Sequence, residues 1–218
     1  MIQERARHSM KSIKHWTPHY VVARGRVIID QRLNPEHPWL TAPSVQLLKQ
    51  LLRPTDVALE FGSGRSTRWI AKHVAHITSV EHDAGWHKQG LDRLAAENID
   101  NVELLLRPKD VPDSEGGASA YAGVLKNFKE GSLDFCLVDG MYRGACALGV
   151  LPKLRAGAIL TVDNAGWFLP STSRTPGARP LGSGGFDTDW DAFIERTADW
   201  RRIWTTNNVF DTVIYFKQ

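Results

Sequence analysis

Short apolar runs that alternate with helical patterns are the feature that most constrains how this chain folds. The runs are nearly continuous in apolar residues, as in strands that are covered on both faces of a sheet. Because a connection that contains a helix is long enough to cross between parallel strands, the alternation predicts a parallel sheet between two layers of helices. The strand patterns occupy residues 56–61, 77–80, 102–106, 133–138 and 158–162, and the helical patterns occupy 66–74, 84–97, 121–128 and 145–154.

The end of the chain breaks this alternation. After a helical pattern over 190–197, two strand patterns at 202–205 and 212–216 are joined by only a few residues. Such a short connection suits an antiparallel hairpin and is too short for a parallel crossover. The sequence therefore predicts a three-layer α/β/α sandwich of the Rossmann-like type. Its seven-stranded sheet is mostly parallel and has an antiparallel C-terminal strand.

The composition of the chain excludes several classes of protein. With 218 residues and 42% apolar residues, the chain is long enough and apolar enough for one globular domain. No apolar run is long enough to cross a membrane, and the first residues lack the apolar segment of a secretory signal. Cys136 and Cys146 are too few for a disulfide scaffold and have no metal-binding spacing. We expect a cytoplasmic protein with reduced cysteines and no membrane partner.

Residues 1–40 precede the alternation and are interpreted as an N-terminal extension to a main domain over 41–218. Two β-branched runs around Gly25 predict a short hairpin at 20–29. Residues 1–32 carry seven basic and two acidic side chains, hence a net charge of +5 in a chain of +3. A basic arm can contact nucleic acid. No aromatic residues are regularly interleaved in it, so we expect a solvated arm without a nucleic-acid partner. A homo-oligomer stays open.

Residues 170–185 are rich in Pro, Gly and Ser and directly follow the last parallel strand pattern. In open α/β sheets the ligand crevice lies beyond the carboxyl ends of the strands. Two interpretations of this segment stay open, a mobile lid over that crevice and a plain flexible loop.

The motif LEFGSGRST at 59–67 carries the strongest functional signal. Gly62 and Gly64 predict a tight turn between a strand and a helix, at which a ligand can approach the backbone. The dinucleotide fingerprint requires a third glycine where this chain has Thr67. Glu60, just before the turn, favours instead a ligand with a positive ammonium or sulfonium group.

Glu81 carries the second signal. It lies nineteen residues after Gly62, at the end of the next strand pattern. A carboxylate at this position can accept hydrogen bonds from both hydroxyls of a ribose. His82 follows it and either borders an adenine ring or faces water.

The segments LEFGSGRST, SVEHD, DFCLVDG and ILTVDN, in this order, resemble class I S-adenosylmethionine-dependent methyltransferases. The resemblance implies S-adenosylmethionine as cofactor and methyl transfer as the activity. It implies that Glu81 holds the ribose and that the glycine turn holds the methionine part of the cofactor. The residues of the turn in this role are Gly62, Ser63, Gly64 and Ser66. In such enzymes a region like residues 1–40 helps to shape the substrate pocket.

A third cluster is predicted where two strands end. Asp139 follows one strand pattern, and Asp163 and Asn164 end its neighbour. The arrangement is similar to catechol and caffeoyl-CoA O-methyltransferases, and the resemblance implies that these three residues bind Mg²⁺, for which oxygen ligands are suited. Where those enzymes have a catalytic lysine, this chain has Tyr142. In the alternative interpretation Asp139 lines the pocket, while Asp163 and Asn164 make hydrogen bonds within turns.

These signals together predict methyl transfer to a small-molecule acceptor, most simply to an oxygen. Asp139 is the candidate base, with His82 and His87 as weaker ones, and Arg143 is a candidate for binding an acidic substrate or an oxyanion. Two alternatives stay open. One is a nicotinamide-dependent oxidoreductase on a similar sheet, and the other is a binding protein that keeps the fold without turnover.

Overall fold

The structure, a computed structural model, describes residues 16–218. The basic side chains of residues 1–15 lie outside the described residues. Short 3₁₀ segments occur at Asp113–Ala118, Val124–Asn127, Leu151–Lys153 and Ala165–Trp167. The α-helices are α1 (Pro18–Leu33), α2 (Ala42–Leu51), α3 (Arg65–Ala71), α4 (Ala84–Ala96), α5 (Ala120–Gly123), α6 (Arg143–Val150) and α7 (Thr188–Arg196). The strands are β1 (Val57–Phe61), β2 (His76–Glu81), β3 (Val102–Leu106), β4 (Leu133–Val138), β5 (Leu154–Asp163), β6 (Pro170–Ser171), β7 (Arg179–Pro180), β8 (Arg201–Thr206) and β9 (Asp211–Phe216).

Seven of these strands form one sheet in the order β3-β2-β1-β4-β5-β9-β8. The first five are parallel to one another, and β9 is antiparallel to both β5 and β8. The predicted three-layer, mostly parallel sheet with an antiparallel C-terminal strand is therefore confirmed. The order reverses direction between β1 and β4, and ligands bind at such a switch point in open α/β sheets.

Each face of the sheet buries its own apolar cluster. Along β4, Phe135 and Leu137 belong to one cluster while Cys136 and Val138 belong to the other, as the two-residue period of a strand requires. Helices α2 and α3 cover the first face, and helices α5, α6 and α7 cover the second. Both cysteines are free and buried, and Cys146 lies in the second cluster. The rigid sheet thus fixes the strand ends at which the candidate site residues lie.

The predicted hairpin at 20–29 is wrong, because these residues lie within helix α1. Thr17 caps this helix by accepting a hydrogen bond from the Tyr20 amide, and Pro18 stands at its first position, where proline is favoured. Ala23 and Val27, four residues apart, bury one side of the helix. These cap and packing signals outweigh the strand preference of the β-branched residues.

Among residues 16–218, no helix combines the length and the apolar character needed to cross a bilayer.

Candidate cofactor and active site

The glycine turn lies between β1 and α3, at the switch point of the sheet. Gly62 has a φ of +100°, and a Cβ there would lie 2.7 Å from the Cα of Gly140. A Cβ on Gly64 would meet nothing nearer than Ser66 Oγ, at 3.9 Å. Gly62 is therefore required by the backbone itself, whereas Gly64 leaves open space beside the turn in which a ligand can approach the chain.

Glu60 lies fully buried directly beneath the turn. Its Oε2 accepts hydrogen bonds from Thr67 Oγ1 and, at 2.6 Å, from Ser79 Oγ, while its Oε1 has no partner. Burial raises the pKa of the Glu60 carboxyl to about 7, against the opposing effect of the hydroxyls of Ser66, Ser79 and Thr67. A nearby positive group would compensate this buried carboxylate, so the side chain suits a sulfonium or ammonium ligand.

Glu81 ends β2 and is hydrogen-bonded to the turn. Its Oε2 accepts from the amide of Ser63 at 3.2 Å and from Ser63 Oγ at 2.7 Å. Its Oε1 accepts at 2.8 Å from the amides of His82 and Asp83. Burial opposes ionisation of Glu81, but the hydrogen bonds from His82, Asp83 and Ser63 outweigh it, and its pKa is lowered. Glu81 is thus an ionised acceptor held against the turn, which fits a ribose-binding carboxylate.

His82 and Trp86 close the turn from its outer side. His82 Nδ1 lies 2.9 Å from Glu81 Oε1, and Trp86 Nε1 donates to the carbonyl of Ser63 at 2.8 Å. The pocket beside Ser63, Gly64 and Trp86 has a volume of about 10 Å³. Small-molecule sites are commonly about 300 Å³ or more. This pocket is therefore too small to hold a nucleoside.

Asp139 and Arg143 form an ion pair at the carboxyl end of β4. Arg143 Nη2 donates to Asp139 Oδ1 at 2.7 Å and to the Asp139 carbonyl at 2.8 Å. The side chain of Asp139 is 30% exposed and that of Arg143 is 15% exposed. The two predicted catalytic residues are therefore brought together, with the carboxylate as the more accessible partner.

Asp163 ends β5 beside this ion pair, and Asn164 follows it. Arg143 Nη1 donates to the Asp163 carbonyl at 2.8 Å and to Asn164 Oδ1 at 3.2 Å. Asp163 Oδ1 accepts a hydrogen bond from Thr212 Oγ1 at 2.7 Å. Burial, and next the nearby Asp139 charge, raise the pKa of Asp163 to about 8 against the effect of Arg143.

The three predicted Mg²⁺ ligands thus converge, but their surroundings do not fit a divalent ion. A guanidinium already lies among their oxygens, and its positive charge would repel a divalent cation placed there. Within residues 16–218, no group of three or more His, Cys, Asp or Glu side chains is arranged to hold a metal ion. The cluster therefore favours the other interpretation, in which Asp139 lines the pocket and Asp163 and Asn164 make internal hydrogen bonds.

Tyr142 and His87, which the sequence marked less strongly, each have a backbone carbonyl as partner. Tyr142 has a φ of +47°, and its hydroxyl donates to the Val111 carbonyl at 2.7 Å. His87 Nε2 lies 3.0 Å from the Leu104 carbonyl. Tyr142 therefore holds the loop that contains Val111, and His87 joins α4 to β3.

Three side chains that were not predicted support the site. Thr67 and Ser79 bind the buried carboxylate of Glu60, and the Tyr121 hydroxyl donates to the Val80 carbonyl beneath Gly140. Thr67 carried a usable signal, because a hydroxyl residue in place of the third glycine can reach back to an acid before the turn. No sequence signal marks Tyr121.

The segment 170–185 makes hydrogen bonds within itself and to neighbouring residues. Strands β6 and β7 pair with each other, and Trp167 Nε1 donates to the Pro176 carbonyl at 3.0 Å. Thr175 Oγ1 donates to the buried Asp211 Oδ2 at 2.7 Å. The amide of Phe186 donates to the Phe168 carbonyl at 3.0 Å, which joins the two ends of the segment. Its role as a lid stays a prediction.

The fold is similar to that of several solved structures, whereas sequence comparisons find no relative. No protein-family model and no curated protein sequence matches the chain. Among solved structures, a protein from Staphylococcus aureus assigned as a caffeoyl-CoA O-methyltransferase is similar, with a TM-score of 0.56 and 15% identity over 88% of this chain and 92% of its own. A protein from Streptococcus mutans assigned as a methyltransferase, solved in complex with SAH, has a TM-score of 0.53 and 14% identity over 81% and 96%. An rRNA methylase from Streptococcus thermophilus has a TM-score of 0.53 and 13% identity over 81% and 94%.

These similarities concern architecture, since the sequence identities are low. The neighbours share the Rossmann-like sheet, and they include proteins described as acting on small molecules and on RNA. The chain therefore has the fold of the class I S-adenosylmethionine-dependent methyltransferases.

Proposed function

We propose that this chain is an S-adenosylmethionine-dependent methyltransferase that methylates an oxygen of a small-molecule acceptor. The observation that carries the proposal is the pair of buried acids on either side of one glycine turn. Glu60 lies beneath the turn with one oxygen unpartnered, and Glu81 binds the turn through Ser63. This spacing of acids suits a ligand that has a positive centre and a ribose diol.

In this proposal, different residues of the chain align the acceptor and accept its proton. When bound, the cofactor supplies an already activated methyl group. The chain then has to align the acceptor with it and accept the proton of the acceptor hydroxyl. Asp139 is the proposed proton acceptor because its carboxylate is partly exposed at the end of β4, beside the turn. Arg143 orients that carboxylate through two hydrogen bonds.

The charge at the carboxyl ends of β4 and β5 favours small molecules over nucleic acid as acceptors. Asp139 presents a carboxylate there, while the guanidinium of Arg143 is engaged by oxygens of Asp139, Gly140, Asp163 and Asn164. A polyanionic backbone needs exposed cations that neutralise its phosphates. The site therefore suits a neutral or cationic hydroxyl compound better than RNA.

A nicotinamide-dependent oxidoreductase would need a different pattern of residues in the glycine turn. In the dinucleotide fingerprint, the third glycine lets the helix that binds the pyrophosphate pack closely against the strand. Here Thr67 fills that position, and its hydroxyl donates to Glu60 while accepting from the Gly64 amide at 2.9 Å. A buried acid beneath the turn also disfavours a diphosphate.

Binding is tested first, by calorimetry and thermal unfolding with S-adenosylhomocysteine and with NADH. We expect S-adenosylhomocysteine at 100 times its Kd to stabilise the fold by about 2.7 kcal/mol. A larger stabilisation by NADH would overturn the proposal in favour of an oxidoreductase. Glu115→Gln, which changes an exposed glutamate, serves as the control variant.

Transfer is tested next, with S-adenosylmethionine labelled in its methyl group. Phenols, catechols and aliphatic alcohols form one panel, and total RNA is the competing substrate. We expect label in an oxygen ether of a small molecule, and loss of transfer in Asp139→Asn. Label only in RNA would contradict the proposed acceptor class, and binding without transfer to any acceptor would favour a non-catalytic binding protein.

A further inference from the structure

The guanidinium of Arg143 is completely engaged by oxygens at the ends of two neighbouring strands. Nε donates to the Gly140 carbonyl at 3.0 Å. Nη2 donates to the side chain and the carbonyl of Asp139, and Nη1 donates to the carbonyl of Asp163 and to Asn164 Oδ1. An arginine side chain has five N–H donors. All five are therefore accounted for by five different oxygens.

Two of those oxygens belong to the side chains that the resemblance implied as Mg²⁺ ligands. Asp139 Oδ1 and Asn164 Oδ1 are a carboxylate and an amide oxygen, which are hard ligands of the kind that Mg²⁺ and Mn²⁺ take. A guanidinium and a divalent ion can have the same role here, since each is a cation that holds negatively charged and dipolar oxygens together. They cannot occupy the same place.

The position of Arg143 is fixed from several directions. It is the first residue of α6, and its guanidinium carbon lies 5.5 Å from the ring centre of Phe168. Asp163, whose carbonyl it binds, is in turn held by Thr212 of β9. Because backbone carbonyls supply three of the five acceptors, the guanidinium is bound by the fold itself as well as by side chains.

We propose that Arg143 is a built-in substitute for a divalent cation between β4 and β5. The native chain therefore binds no metal ion at Asp139 and Asn164, and removal of the guanidinium turns the same oxygens into a divalent metal site. The charge that a metal ion would supply beside the acceptor comes instead from a fixed side chain. This proposal concerns metal binding and does not depend on methyl transfer.

The test measures binding of Mn²⁺, by electron paramagnetic resonance of the free ion and by calorimetry. We expect the native chain to show no site at Asp139, so that its Mn²⁺ binding is unchanged in Asp139→Asn. We expect Arg143→Ala to bind one Mn²⁺ at least tenfold more tightly than the native chain, and the double variant Arg143→Ala with Asp139→Asn to lose that gain.

A second variant and a matched control keep the test decisive. Arg143→Gln puts a neutral oxygen ligand in place of the guanidinium and gives the same prediction if Arg143→Ala does not fold. Arg155 pairs with Asp134 near the opposite end of β4, so Arg155→Ala also releases a carboxylate, but away from the site. We expect no gain of Mn²⁺ binding in Arg155→Ala.

Three results would overturn the proposal. The first is Mn²⁺ binding by the native chain that Asp139→Asn abolishes. The second is a folded Arg143→Ala or Arg143→Gln variant that gains no metal site. The third is an equal gain in Arg155→Ala, which would mean that any released carboxylate binds the ion.

Discussion

Gly62 and Gly140 lie backbone against backbone where β1 and β4 end, so that a Cβ on Gly140 would lie 2.8 Å from the amide nitrogen of Gly62. The same Cβ would clash with the hydroxyl of Tyr121. Because the clash involves the backbone of the opposite turn, the neighbours cannot simply rotate away. The two glycines thus let the ends of these strands lie close together, at the edge of the sheet that carries the proposed site residues Glu81 and Asp139.

Gly140→Ala should therefore destabilise the fold. Overpacking of a well-packed site costs about 1–3 kcal/mol, and we expect a loss of free energy of unfolding in that range. Urea unfolding measures it. Gly123→Ala is the matched control, because a Cβ there meets nothing within 4 Å. Equal stability of Gly140→Ala and Gly123→Ala would contradict the close contact.

Glu81→Gln and Ser63→Ala should affect cofactor binding differently. In the proposed binding mode the ribose hydroxyls donate to Glu81 Oε2, which accepts a hydrogen bond from Ser63 Oγ in the structure. Glu81→Gln removes a charged acceptor, a loss of about 1.5–3 kcal/mol, so we expect the Kd for S-adenosylhomocysteine to rise at least tenfold. Ser63→Ala removes the competing hydroxyl and should leave the Kd within about threefold of its native value. Calorimetry distinguishes the two, and a tenfold loss in Ser63→Ala would show that its hydroxyl binds the ligand directly.

The buried carboxyl of Glu60 should make stability depend on pH. Its pKa in the folded chain is about 7, above the unfolded value of 4.5, so the folded state holds the proton more tightly. The stabilisation is complete below pH 4.5 and is lost as pH rises toward 7, at up to about 1.4 kcal/mol per pH unit.

Glu60→Gln should flatten this dependence, because its side chain has no proton to lose. Urea unfolding at pH 5 and pH 8 measures the difference for the variant, for the native chain and for the Glu115→Gln control. The dependence will not vanish, since the pKa of Asp163 is also raised. If Glu60→Gln loses as much stability between the two pH values as the native chain does, the buried carboxyl does not titrate in this range.

Thr175→Val should loosen the segment 170–185. It removes the hydrogen bond to Asp211, a buried carboxylate whose Oδ1 already has no partner in the structure. Leaving such a group further unsatisfied costs about 1–3 kcal/mol. We expect faster cleavage by trypsin after Arg174, measured by mass spectrometry of the fragments. Ser183→Ala, in the same segment but exposed, should leave the rate unchanged. Equal rates in the native chain and both variants would mean that the contact does not hold the segment.

The layered sheet could be predicted from the sequence, because parallel strands that are buried on both faces carry a signal in their own composition. Helix α1 was missed, since its valines and isoleucines favour a strand locally, and the cap at Thr17 and Pro18 together with the burial of Ala23 and Val27 outweighs that preference. The sequence identifies Glu60 and Glu81 as candidate site residues because Glu60 lies just before the glycine turn and Glu81 ends the next strand pattern. Their hydrogen bonds to Thr67, Ser79 and Ser63 depend on how neighbouring strands are registered.

The relation of Arg143 to the predicted metal ligands lay beyond sequence reasoning for a different reason. Asp139 and Arg143 are four residues apart, but they span a strand end, a turn and a helix start rather than one helical turn. The turn between them contains Tyr142, whose backbone is left-handed with a φ of +47°. A local backbone choice of this kind is uncommon for a residue other than glycine and is not signalled by the side chains.

The hydrogen bond between the backbones of Phe186 and Phe168 brings together the two ends of the stretch between them. Because this stretch leaves and rejoins the domain at one point, residues away from Thr175, which binds Asp211 of β9, can change in number without shifting how β5 and β9 align. In the proposed role of a lid, such a change of length would alter which acceptors fit and leave the glycine turn unchanged.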